Sequence, residues 1–125
     1  MEGRTKTGMK IWVDDVRPAP DGYVWVKSVN EAELLIVSKK SYENMINSFD
    51  GGLRKLFEFD NDTHIELIDI DHDAGEYASD GGDYIKLLDW LEEKGYNIPI
   101  HIHSMNPVGV ANMRRIIQRN GWIEV

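Results

Sequence analysis

Short apolar runs alternate along this chain with longer stretches of helical spacing. Four runs have the β-branched and aromatic content of strands, with turn formers at their ends: Met9–Val13 (MKIWV), Tyr23–Val26 (YVWV), Ile65–Ile70 (IELIDI) and residues 98–102 (IPIHI). A fifth, residues 122–125 (WIEV), comes last. Residues 83–94 place Ile85, Leu88, Leu91 and, one position off, Leu87 on a single stripe, with Gly95 as a stop. Residues 108–120 carry Val108, Ala111, Met113, Ile116 and Ile117, with Pro107 near the start, Arg114, Arg115 and Arg119 toward the end, and Gly121 after it. In residues 30–59, Ala32, Leu35, Ile36, Tyr42, Ile46 and Phe49 follow helical spacing until Gly51-Gly52 interrupts it. Two helices are expected there, the second over residues 53–59, followed by a turn at 60–63 (DNDT). Helices inserted between strands predict a three-layer α/β domain around a mostly parallel, five-stranded sheet.

Composition narrows the picture. With 125 residues, 42% of them apolar and 29% charged, the chain suits one folded domain, expected over residues 9–125. Residues 1–8 are polar and read as a flexible leader. There is no cysteine, which excludes disulfides and thiolate zinc sites and fits a reducing compartment. No apolar run approaches the ~18 residues of a membrane span, so no membrane partner and a cytoplasmic location are expected. A formal charge of −8 argues against broad DNA binding through the phosphate backbone. It leaves room for a phosphorylated small molecule or an RNA end, if a bound cation inverts the local charge. Oligomeric state stays open.

The chemistry gathers where strands end. Asp14-Asp15 follows the first run, Asp71-His72-Asp73 the third, and His103-Ser104 the fourth. In a parallel α/β sheet, ligands bind outside the carboxyl ends of the strands. Neighbouring strands are only about 5 Å apart, so these carboxylates crowd one pocket. Like charges there are relieved by a proton or by a hard cation: Mg²⁺ first, with Mn²⁺ or Ca²⁺ as alternatives. A single Asp before Arg17-Pro18 would read as a turn cap; two together with a second acidic strand end read as a site.

His101 and His103 share one sheet face. His101 lies inside the apolar run and is expected to be packed, whereas His103 stands at its end, where it could donate a proton or bind phosphate. Asn106-Pro107-Val108-Gly109 opens the last helix and offers backbone N–H groups to an anion, with Asn106 also a natural N-cap. Arg17 is the nearest cation suited to a phosphate, or else a solvated loop arginine. The tryptophans at 12, 25, 90 and 122 fall inside expected elements and read as core.

An acidic pair after strand one, an Asp ending the central strand and a hydroxyl residue, Ser104, after the next together resemble a response-regulator receiver domain of flavodoxin-like fold. Two features differ: the chain as far as Val125 has no counterpart of the lysine that follows a receiver's last strand, and RPAPDG replaces the helix between strands one and two. The motifs MKIWVDDVRPAPDGYVWVKS, LIDIDHDAG, GGDYIKLLDWLEE and HIHSMNPVG are more similar to a divergent receiver-like family, the cyclic-phosphate processing receiver domains, over most of residues 9–120. The resemblance implies a metal-dependent phosphoesterase acting on a nucleotide or RNA-end phosphate. Asp14, Asp15 and Asp71 would handle metal, and Asp14, Asp71, Asp73 and His103 catalysis. Arg17, Ser104, Asn106 and Gly109 would hold phosphate, with His72 lining the pocket. A phosphoacceptor or non-catalytic receiver is the competing expectation.

Overall fold

The computed structural model describes residues 8–47 and 64–125. In chain order the elements are β1 (Met9–Val13), β2 (Tyr23–Val26), α1 (Val29–Asn47), β3 (Ile65–Ile70), a 3₁₀ turn (Gly75–Ser79), α2 (Ile85–Lys94), β4 (Ile100–Ile102) and α3 (Pro107–Asn120). The four strands run parallel in the order β2-β1-β3-β4. From β1 the chain steps one way to β2 and then crosses back to β3, so the topological switch point lies between β1 and β3. That is where an open α/β sheet takes its ligand.

Strand parity decides which residues meet the helices. Ile11, Val13, Ile68, Ile70 and Ile100 alternate onto one face and are fully buried. They join Ala32 and Ile36 of α1, Leu87, Leu88 and Leu91 of α2, and Met113, Ile116 and Ile117 of α3 in a single core. Each buried leucine or isoleucine contributes about 1.5–3 kcal/mol of transfer free energy. The helices pack as one bank, α1 on α2 and α2 on α3. The stripe expected for residues 83–94 is thus the core face of α2.

The α/β receiver-like class is as expected, with differences in detail. The sheet has four strands rather than five, because residues 122–125 contribute only one bridging position, Glu124 beside Ile100. Two bonds flank that position, from the Ile100 N–H to the Ile123 carbonyl and from the Val125 N–H to the Ile100 carbonyl, and no ladder extends beyond them. On the sheet's other face, Trp12 pairs in register with Trp25 and Asp69, and Lys10 with Tyr23. Here the short β1–β2 connection folds back in place of a helix: the Trp12 indole N–H donates to the Arg17 carbonyl at 2.8 Å and the Trp25 indole N–H to the Asp14 carbonyl at 2.7 Å. All four tryptophans are half-buried. Trp90 and Trp122 pack against the core, but Trp12 and Trp25 belong to this outer face rather than to the core expected of them.

Two boundaries moved for visible reasons. β4 starts at Ile100 because Pro99 has no N–H to give, although its carbonyl accepts the Ile68 N–H. α2 starts at Ile85 because Asp83 and Tyr84 tie down the loop before it. The Asp83 carboxylate accepts the Ala74 N–H, and the Tyr84 N–H donates to the His72 carbonyl. The helix expected over residues 53–59, the turn at 60–63, the Tyr42, Ile46 and Phe49 side chains and residues 1–7 of the leader lie outside the described residues.

Candidate functional site

β1 and β3 each continue their ladder one residue past the strand before turning. The Asp14 N–H donates to the Val26 carbonyl and the Asp71 N–H to the Val13 carbonyl, so both aspartates are held by the sheet rather than by loops. Asp14, Asp15 and Asp71 bring one carboxylate oxygen each to within 4.8 Å of one another. Asp14 is the buried member, at 0% exposure. Its Oδ1 accepts the backbone N–H groups of Val16 (2.9 Å) and Arg17 (2.8 Å), so Asp14 fills the turn-capping role and still presents a second oxygen. Gly75 fits against the Asp15 carboxylate with φ +57°, where a side chain would strike that carboxylate.

His103 is the cation-capable group beneath this cluster. Its Nδ1 lies 2.6 Å from Asp69 Oδ1 and its Nε2 2.9 Å from Asp14 Oδ2, so both ring nitrogens meet carboxylates. The Trp12 ring stacks on the imidazole at a centroid distance of 3.9 Å and 4° between planes. Burial alone would depress the imidazole, but the bonds to Asp69 and Asp14 outweigh it and raise its pKa above the ordinary histidine value. Burial would likewise raise Asp14. The N–H groups of Arg17 and Val16, then His103, outweigh it and hold the carboxyl below its usual range. Tyr84, fully buried and donating to the Lys27 carbonyl at 2.7 Å, is pushed upward by burial and then by the charges of Asp15, Asp14 and Asp71. It stays a neutral wall.

The remaining expected residues form a second tier. Asp71 Oδ1 accepts the His72 N–H at 2.7 Å. His72 Nδ1 pairs with Asp73 Oδ1 at 2.8 Å, and the Asp73 side chain is 65% exposed, outside the carboxylate trio. Asn106 caps α3 by accepting the Gly109 N–H at 3.0 Å, and its amide nitrogen approaches His72 Nδ1 to 3.5 Å. Ser104 Oγ accepts the Asn106 N–H. Arg17 is exposed, and its guanidinium reaches the His103 carbonyl at 3.3 Å, tying the β1–β2 connection to the β4–α3 loop. His101 is occupied elsewhere, its Nδ1 lying 2.8 Å from the Val125 carbonyl.

Gly109 packs on the His72 ring so closely that a Cβ would collide with it. Gly109→Ala is therefore expected to cost about 1–3 kcal/mol by overpacking. That is about 4 °C of melting temperature per kcal/mol, between the values for 100-residue and 150-residue domains. A thermal melt checks it, and an unchanged Tm would show that His72 has room to move.

Sequence reasoning missed Asp69, Trp12 and Tyr84. Asp69 carried a signal: an acid inside an apolar strand, 6% exposed, needs a partner.

The parallel sheet, its switch point and the carboxylates gathered there define a receiver-type domain. A family model, the cyclic-phosphate processing receiver domain, matches residues 9–119, and the chain belongs to that family. No curated protein sequence and no solved structure matched the chain. Receivers commonly hold Mg²⁺ on such an acidic cluster, and the oxygen donors of Asp14, Asp15 and Asp71 fit a hard divalent cation. Among the described residues no helix is long and apolar enough to cross a membrane.

Proposed function

We propose that this domain is a metal-dependent phosphoesterase acting on a cyclic or terminal phosphate of a nucleotide or RNA end. The observation that carries the reading is the Asp14, Asp15 and Asp71 trio at the switch point, with a family match that concerns cyclic phosphates. The three aspartates would hold the cation, which supplies Lewis acidity toward a phosphoryl oxygen and lowers the pKa of a water. Asp14 and Asp15 would balance its charge, and Asp14 is kept in place by His103 and the Val16 and Arg17 N–H groups. Arg17, Ser104, Asn106 and the start of α3 border the phosphate. Because both nitrogens of His103 face carboxylates, proton transfer at the substrate falls to the His72–Asp73 pair, whose carboxylate opens to solvent.

The test incubates the protein and Mg²⁺ or Mn²⁺ with 2′,3′-cyclic nucleotides and a cyclic-ended oligonucleotide. Turnover is expected from the wild type, to be lost with a chelator and in Asp15→Asn, a half-buried position less prone to misfolding than Asp14. Equal background in all arms would sink the reading.

A further inference from the structure

Beyond the carboxylate trio, the structure has a cleft of about 860 Å³ between α1 and the 3₁₀ turn and α2, whose walls include Lys27, Glu31, Leu34, Tyr77, Trp90 and Lys94. Pockets of about 300–1,000 Å³ are the usual size for small-molecule sites. Its apolar wall is incompletely covered: Leu34 is 73% and Tyr77 38% exposed. We propose that this cleft receives the nucleobase end of the phosphoester whose phosphate sits at Asp14, Asp15 and Asp71, an inference that rests on the function proposed above for its phosphate half.

Continuity between the two regions supports it. The 3₁₀ turn begins at Gly75, packed on the Asp15 carboxylate, and reaches the cleft at Tyr77 two residues later. Two residues span at most about 7 Å of backbone, so this one turn borders both the trio and the cleft. The far end of the turn is anchored: Asp80 accepts from the Ser28 hydroxyl at 2.6 Å and from the Asn30 amide at 3.0 Å. The buried Tyr84 donates its hydroxyl to the carbonyl of Lys27, a residue of the cleft wall.

The lining selects the ligand's chemistry. Tyr77 and Trp90 offer aromatic surface on which a planar ring can stack. Glu31, Glu33 and Asp80 slightly outnumber Lys27 and Lys94, which disfavours a second phosphate; with Asp80 held by Ser28 and Asn30 and Glu31 Oε1 by the Lys27 N–H, Glu33 and the other Glu31 oxygen are the acceptors for a base's amino groups. The cleft would therefore take the base of the reacting nucleotide and exclude a polyphosphate tail.

The experiment separates this inference from the proposed chemistry by using adenosine, which has no phosphate, in metal-free buffer, and following the amide resonances of the ¹⁵N-labelled protein. Saturable shifts at Lys27–Leu34 and Tyr77, weakened at least about fivefold in Tyr77→Ala and Leu34→Glu, are expected. Both substitutions are at exposed positions, and thermal melts confirm that the variants fold. No saturable shift, or shifts confined to other surfaces, would overturn the cleft even if cyclic phosphates are hydrolysed. Shifts of that kind in a protein that hydrolyses nothing would sustain it as a nucleoside site while the phosphoesterase reading falls.

Discussion

His103→Leu is expected to destabilise the metal-free domain by about 3–5 kcal/mol, the range for removing one partner of a buried ionic group. A small domain has only about 5–15 kcal/mol in total, so the variant would be near its folding threshold at 25 °C. The cause is local. Asp14 at 0% and Asp69 at 6% exposure both lose the imidazole between them, and leucine supplies no donor. Chemical denaturation in chelator at several pH values measures the loss and checks its origin. In the wild type the Asp14 pKa is lowered from 3.8, so its contribution is present above that unfolded value and is lost as pH falls through the lower folded one. The His103 pKa is raised from 6.5, so its contribution is complete below 6.5 and is lost as pH rises through the folded value. This pair therefore stabilises most between roughly pH 4 and 6.5. His103→Leu should lack the alkaline decline and show its largest deficit inside that window. A deficit under about 1 kcal/mol, or one independent of pH, would mean that the two carboxylates find other partners.

The carboxylate trio of this site was legible and the partners of His103 were not, for a physical reason. Asp14, Asp15 and Asp71 stand directly after apolar runs, and parallel strands bring their carboxyl ends together whatever the register. The role of His103 depends on register. β3 and β4 pair Asp69 with His101, which sets His103 two residues past the acid on the same face, where its Nδ1 can turn back to Asp69. Strand parity shows which face His103 takes, but not that an acid on the neighbouring strand will claim its ring. Sequence alone marks Gly109 as an anion-binding turn residue; its close approach to His72 arises only when α3 docks on the β3–α2 loop. The fold class followed from alternating strands and helices. Within residues 122–125 only Glu124 bridges to Ile100, a matter of docking rather than composition.

The second large effect concerns Asp71, where two chemistries make opposite demands. As a cation ligand, Asp71 contributes one of three carboxylate oxygens within 4.8 Å. Asn keeps the shape and still accepts the His72 N–H that Asp71 Oδ1 accepts at 2.7 Å, so Asp71→Asn should fold. It removes one negative charge, and Mg²⁺ or Mn²⁺ should bind at least tenfold more weakly, about 1.4 kcal/mol or more, measured by calorimetry on the metal alone. Turnover at sub-saturating metal should fall by the same factor as the affinity, at least about tenfold. Raising the metal concentration should recover much of it, because the defect lies in occupancy. If Asp71 instead attacks phosphorus and expels the ester oxygen, as the phosphorylated aspartate of a receiver would, an amide in its place stops the reaction at every metal concentration. A small-molecule phosphodonor with Mg²⁺ would then leave a labile phosphate on wild-type Asp71, visible as a mass increase. The ligand role predicts recovery with metal and no such adduct. On the ligand reading, the Asp14 and Asp15 oxygens, held by the Arg17 turn and Gly75, would still gather a cation once the third carboxylate is gone.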